Sequence, residues 1–220
     1  MCDIFYHMFC MNDYMQRFDS TFKKIQDSFL YDNVETFHIN VVTETPNEFE
    51  IVQSKLSQNK FKFYNICETP FGEIDTIKLL HRVCKQQTSN KPILYLHSKG
   101  VSRPENANIQ AWVDYMEYFV ITKWKDCILK LNDYDTCGVN LQKDPGLHYS
   151  GNFWWANSTY INKLPLFDIK HCTVPLRYGD PMRAYCEFWL LDNNFSKPYT
   201  LHNSNLDLYS TTYSRDNYAI

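Results

Sequence analysis

The segment His97-Ser98-Lys99-Gly100 sets a cation beside an imidazole and a hydroxyl, directly after the apolar run ILYL at residues 93–96. Such groups at the carboxyl end of a strand can meet a phosphate, and a glycine there lets the backbone turn close to a ligand. The ordinary alternative is a polar exit from a strand. A second group, Gly72-Glu73-Ile74-Asp75-Thr76, opens a helix-like stretch. Acidic residues in a first turn complement the helix dipole and cap free amides. The functional alternative has Glu73 or Asp75 holding a ribose hydroxyl, a metal ion or a reacting hydroxyl.

Two further groups lie downstream. In Gly151-Asn152-Phe153-Trp154-Trp155-Ala156-Asn157, preceded by His148 and Tyr149, the adjacent tryptophans cannot both face one core from a strand, because neighbours alternate sides. One ring is therefore expected to line a pocket, as a stacking plane for a sugar or base, with His148 and Asn152 bonding hydroxyls. The alternative is two rings filling opposite sides of a buried strand. Arg177, Asp180, Arg183 and Glu187 lie on and before a helix; an Arg183–Glu187 ion pair is the default, and a carboxylate turned to the crevice would be a general base. The sequence has no GxGxxG after its first strand and no GxxxxGK[ST], HExxH or GxSxG. Dinucleotide oxidoreductases, P-loop NTPases, zincins and α/β-hydrolases recede accordingly.

The elements that must position these residues alternate. Strand-like runs at 4–10 (IFYHMFC), 36–42 (TFHINVV), 61–66 (FKFYNI) and 92–96 (PILYL) are separated by amphipathic stretches at 14–29, 48–58 and 72–87. Strands joined by single helices cannot be hairpins, so the spacing predicts an α/β fold with a mostly parallel central sheet and helices on both faces. Ligands of such sheets bind beyond the carboxyl ends of the strands. That rule gathers Cys10-Met11-Asn12, Glu68-Thr69-Pro70 and His97–Gly100 around one crevice. A long helix is expected over 108–131, a strand over 136–141 and a helix over 181–193; the Tyr-rich segment 201–220 has no assigned element.

The 220 residues suit one domain, 1–220, either whole or as one domain of a longer enzyme. Net charge is −3, which gives no basic field for nucleic acid or an anionic membrane. No window approaches the length of an apolar transmembrane span. The eight cysteines are scattered without a CxxC pair and read as reduced core thiols. With no secretory signal pattern after Met1-Cys2-Asp3, a cytoplasmic location is expected.

The order IFYHMFC, ILYLHSKG, a Trp-rich helix, CGVNL, HYSGNFWWAN, YINKLP and RAYCEFWLL resembles a family of GT-A-fold glycosyltransferases of bacteria and large algal DNA viruses, the chlorella viruses. The resemblance runs from the first strand to about residue 191. It implies the nucleotide-diphospho-sugar-binding architecture, with a UDP- or other NDP-sugar donor, a glycan acceptor hydroxyl, transfer with inversion at the anomeric carbon and, for a viral member, the host cytoplasm. On it, Cys10, Asn12, Glu68 and Thr69 hold the nucleoside, Glu73 joins the nucleotide-sugar site through a ribose hydroxyl or a metal ion, and His97, Ser98 and Lys99 meet the diphosphate. His148, Asn152, Trp154 and Trp155 hold the acceptor, and Glu187 and Asp75 are the candidate bases. One departure stands out: GT-A enzymes usually carry Asp-x-Asp where this chain has His97-Ser98-Lys99. Mg²⁺ and Mn²⁺ prefer carboxylates, so any requirement for them is expected to be partial, with Glu73 or Asp75 as the ligand. The alternatives are a glycan-binding or interaction module without catalysis, and a nucleotidyltransferase, which uses a similar nucleotide half.

Overall fold

The structure is a computed structural model that describes residues 1–67, 73–175 and 180–219. Its strands are β1 (Cys2–Phe9), β2 (Val34–Val42), β3 (Phe61–Tyr64), β4 (Pro92–His97), β5 (Thr136–Gly138), β6 (Leu141–Gln142), β7 (His148–Tyr149), β8 (Trp154–Asn157) and β9 (Pro198–Thr200). Its α-helices are α1 (Tyr14–Asp27), α2 (Glu48–Lys55), α3 (Ile74–Lys85), α4 (Ala107–Glu117), α5 (Trp124–Lys130), α6 (Ser158–Ile161) and α7 (Pro181–Phe188). Seven strands form one sheet in the order β3-β2-β1-β4-β8-β5-β9, and β6 pairs with β7 separately. β1 runs parallel to β2 and β4, as the alternation requires, whereas β8 enters antiparallel between β4 and β5. The predicted mixed α/β architecture is the one observed.

Burial on both faces explains why the central strands are almost wholly apolar. Tyr6, Met8, Leu94, Leu96 and Trp155 join Phe18 and Ile25 of α1 and Val113 and Met116 of α4 in one core. Phe5, Ile93, Tyr95 and Trp154 join Ile77 and Leu80 of α3 and Tyr185 and Cys186 of α7 in the other. The single helix expected over 108–131 is two helices, α4 and α5, separated by a π-helical turn at Tyr118–Thr122. The wider turn re-aims the following residues, and Trp124 Nε1 then donates to the Ser28 carbonyl at 3.1 Å. The expected strand at 136–141 ends at Gly138, and the Tyr-rich segment packs on α4, where Tyr115 makes edge contacts with Tyr213 and Tyr218. No helix among the described residues is long and apolar enough to cross a membrane.

Candidate functional site

The exits of β1 and β4 are neighbours, since Phe5, Tyr6 and His7 lie in register with Tyr95, Leu96 and His97. The two exit loops are stitched together. The Phe9 amide donates to Ser98 Oγ at 2.8 Å, and Asn12 Nδ2 donates to the Val101 carbonyl at 2.6 Å. Ser98 is buried, so its hydroxyl braces the strand ends rather than facing a ligand. Asn12 adopts φ +49°, a left-handed conformation that Asn tolerates, to make its bridge. Cys10 stands beside it, half-buried, and burial pushes its thiol up to about 12, so it offers no thiolate. Glu68 and Thr69 lie outside the described residues.

Glu73 precedes α3 but makes no capping bond to it. Its Oε2 instead accepts from Tyr95 Oη and Asn152 Nδ2, both at 2.7 Å. Its Oε1 faces His97 Nδ1 at 3.8 Å. Two directional donors, rather than the helix amides, therefore fix this carboxylate at the carboxyl end of β4. Asp75, in the first turn of α3, is only 2% exposed, too enclosed to approach an acceptor hydroxyl.

His97 donates Nε2–H to the Gly151 carbonyl at 3.0 Å, which leaves Nδ1 with its lone pair toward Glu73. Burial, with Lys99 nearby, pushes His97 down to about 3, so the ring is neutral at physiological pH. On the adjacent strand, His7 Nδ1 pairs with Thr76 Oγ1 at 2.9 Å, and burial lowers His7 to about 4. Asn40 fixes that pair from below: its amide exchanges bonds with the Ile66 backbone and donates to Thr76 Oγ1 at 2.9 Å. The hydroxyl's own hydrogen is thereby directed to His7, and the site holds two neutral imidazoles side by side.

Lys99 carries the site's cation. It is half-buried, and its Nζ lies 4.0 Å from the centre of the Trp112 ring. Among the described residues it makes no hydrogen bond or ion pair. Burial lowers its affinity for a proton, Glu187 and Glu73 oppose that shift, and Arg183 adds to it. The same Arg183 and Glu187 act on His97 with opposite signs. The default Arg183–Glu187 ion pair does not form. Asp180 caps α7 by accepting from the Met182 and Arg183 amides, and Arg177 lies outside the described residues.

The residues assigned to an acceptor are corrected by their burial. Trp154 and Trp155 are 1% and 0% exposed. They do point to opposite faces of β8, as the pleat requires, but each face is a core. Trp154 stacks on Tyr95 with ring centres 5.0 Å apart, and Trp155 Nε1 donates to the Val120 carbonyl. Asn152 accepts from Trp154 Nε1 and donates to Glu73 and to the Cys186 carbonyl. His148 is buried against Phe188 with Nδ1 on the Gly146 carbonyl. None of the four presents a free plane or amide.

Among the described residues no group of three or more His, Cys, Asp or Glu could hold a metal ion. Glu73 has one carboxylate oxygen left and His97 one nitrogen, beside the positive charges of Lys99 and Arg183. A hard dication wants several oxygens, so these side chains do not complete a site by themselves, and a dication held by Glu73 would draw its other ligands from water and substrate phosphates. Asp75 is enclosed.

His7, Tyr95 and Asn40 were not singled out by sequence, and Thr76 entered only as the last residue of the Gly72–Thr76 segment, without a role. The available signal was a polar residue interrupting an apolar strand, His7 in IFYHMFC and Asn40 in TFHINVV.

The DUF8361 family, described as a domain of unknown function, matches residues 5–171. No curated protein matches the chain. Solved structures similar in fold include HddC from Yersinia pseudotuberculosis, 12% identical over 92% of this chain and 91% of that one, with a TM-score of 0.51. HddC complexed with GMP-PN is 13% identical over 91% and 90% of the two chains, with a TM-score of 0.48. 4-Diphosphocytidyl-2C-methyl-D-erythritol synthase from Anaerococcus prevotii DSM 20548 is 9% identical over 93% and 90%, with a TM-score of 0.45. At these identities the first likeness is one of fold.

Proposed function

We propose, from the premise that this chain belongs to the DUF8361 domain family, that it is a nucleotide-dependent transferase whose crevice takes a substrate's diphosphate beyond the carboxyl ends of β1 and β4. The observation that carries this reading is Lys99, a half-buried ammonium with no anionic partner among the described residues, with the exposed Arg183 near enough to act on it electrostatically. Charge in a partly desolvated crevice stabilises a departing diphosphate more than the same charge in water.

The finer reading placed first is nucleotidyl transfer. An oxygen of a phosphorylated acceptor attacks the α-phosphorus of a nucleoside triphosphate, the bond to the β-phosphate oxygen breaks, and pyrophosphate leaves onto Lys99 and Arg183. Such a nucleophile needs neither a stacking plane nor a base. The enclosed His148, Asn152, Trp154 and Trp155 offer no plane for a glycan.

Glycosyl transfer is kept as a second reading because of Glu187. This half-buried carboxylate makes no ion pair among the described residues yet acts on both His97 and Lys99. It would take the proton of an acceptor hydroxyl as that oxygen bonds the anomeric carbon and a nucleoside diphosphate leaves.

Paired product assays test both. Nucleoside triphosphates with sugar 1-phosphates are expected to release pyrophosphate, in a reaction that needs both substrates and fails in Lys99→Ala. Release of nucleoside diphosphate from nucleotide sugars instead would install the glycosyl reading. Neither product, with no nucleotide bound, would overturn the transferase.

A further inference from the structure

We infer that Trp112 is the positioning residue of this crevice: its ring face holds the Lys99 ammonium, and its ring edge seats Gly151, whose carbonyl orients His97. The functional part of this inference rests on the diphosphate reading, whereas its geometric part stands alone.

Three observations support it. Lys99 Nζ lies 4.0 Å from the Trp112 ring centre, within the range of an attractive cation–ring contact. An ammonium has three hydrogens, so one facing the ring leaves two to face an anion in the crevice. Gly151 adopts φ +93°, and a Cβ there would collide with Met116 Sδ and come within 3.1 Å of Trp112 Cε2. The Gly151 backbone is thus pressed onto the Trp112–Met116 ridge of α4, and its carbonyl receives His97 Nε2–H at 3.0 Å. Finally, Trp112 Nε1 is buried with no hydrogen-bond partner among the described residues. Buried indole N–H groups usually find an acceptor. This ring sits where its face and edge are useful at the expense of its own donor.

Lys99 is also addressed by Glu73, just ahead of α3, and by Glu187 and Arg183 from α7, none of which bonds it. The ring is what fixes the direction of its stem. A preorganised ammonium loses less freedom on binding an anion than one free to rotate.

The test uses the whole chain and inorganic pyrophosphate as probe. In wild-type protein, the Lys99 side-chain protons are expected upfield of ordinary lysine through the indole ring current, and the His97 ¹⁵N shifts are expected to show one Nε2–H tautomer. Trp112→Leu should lose the upfield shift, mix the His97 tautomers and weaken pyrophosphate binding roughly three- to thirtyfold. It should cause no further weakening in a Lys99→Ala background. Trp112→Phe, which keeps a ring, should retain most of the affinity and provides a folded comparison if Trp112→Leu fails to fold. Ordinary Lys99 shifts in the wild type would overturn the proposal, as would an equal Trp112→Leu effect with and without Lys99. If wild-type protein binds no pyrophosphate, the diphosphate reading fails, and the two spectral measurements still decide the role of Trp112.

Discussion

Asn152 Nδ2 donates to Glu73 Oε2 over 2.7 Å, joining the loop before β8 to the residue ahead of α3 across 79 positions. The bond makes Glu73 part of the β4 exit rather than a helix cap. It also makes Asn152, which accepts from Trp154 Nε1 at 2.8 Å, a structural member of the site.

Asn152→Asp should therefore place two carboxylates in contact. One of them must then hold a proton in the folded state, with its pKa raised above the unfolded value. The pair costs little below that unfolded value, near 4, and destabilises as pH rises through the raised one. Thermal unfolding should show a larger loss relative to wild type at neutral pH than near pH 4.5. The same loss at both would contradict the contact.

The site's two histidines, His7 buried and His97 largely so, give the opposite slope. Their folded pKa values, about 4 for His7 and about 3 for His97, lie below the unfolded value near 6.5. The unfolded chain therefore takes up protons first, and stability falls as pH drops from about 6.5 toward those values. Between pH 6.5 and 5, each contributes a loss of roughly 2 kcal/mol. Denaturant unfolding at pH 7 and 5 should show a smaller pH difference in His7→Gln and His97→Gln than in wild type. An unchanged difference would mean that the imidazoles are not held neutral.

Trp154→Ala should cost about 3–5 kcal/mol, because it opens a cavity against Tyr95 and deprives Asn152 of a donor. Loss of soluble protein or a large fall in Tm is the expected outcome. A stable variant with only weakened acceptor binding would restore the ring to a ligand surface.

Glu187→Gln separates the two transfer chemistries. A general base lost to its amide lowers turnover by roughly 10²–10⁴-fold with donor affinity nearly intact. Nucleotidyl transfer to a phosphate oxygen predicts little change in the same variant. Turnover measured beside nucleotide affinity distinguishes them.

Much of this fold was legible in the sequence, because apolar runs such as IFYHMFC and ILYL, interleaved with the spacing of Phe18, Phe22 and Ile25, permit few arrangements other than a parallel sheet with covering helices. The antiparallel β8 was not, since its partners lie 59–65 and 16–20 positions away and no hairpin turn announces them. At the site, the sequence showed that His97 and Lys99 leave β4 together. It could not show that Glu73 turns from its helix to Tyr95 and Asn152, a choice made by tertiary donors. Nor could alternation along β8 reveal that both faces were cores: the pleat separates Trp154 from Trp155 and says nothing of what covers each.

The most direct measurement is calorimetric titration of wild-type protein and Lys99→Ala with a panel of nucleoside diphosphates and the corresponding nucleosides. A charge-assisted contact to phosphate predicts that Lys99→Ala weakens the diphosphates by roughly 10–100-fold and leaves the nucleosides unchanged. Equal losses for both ligand classes, or no binding of any nucleotide to wild-type protein, would contradict a diphosphate crevice at the β4 exit.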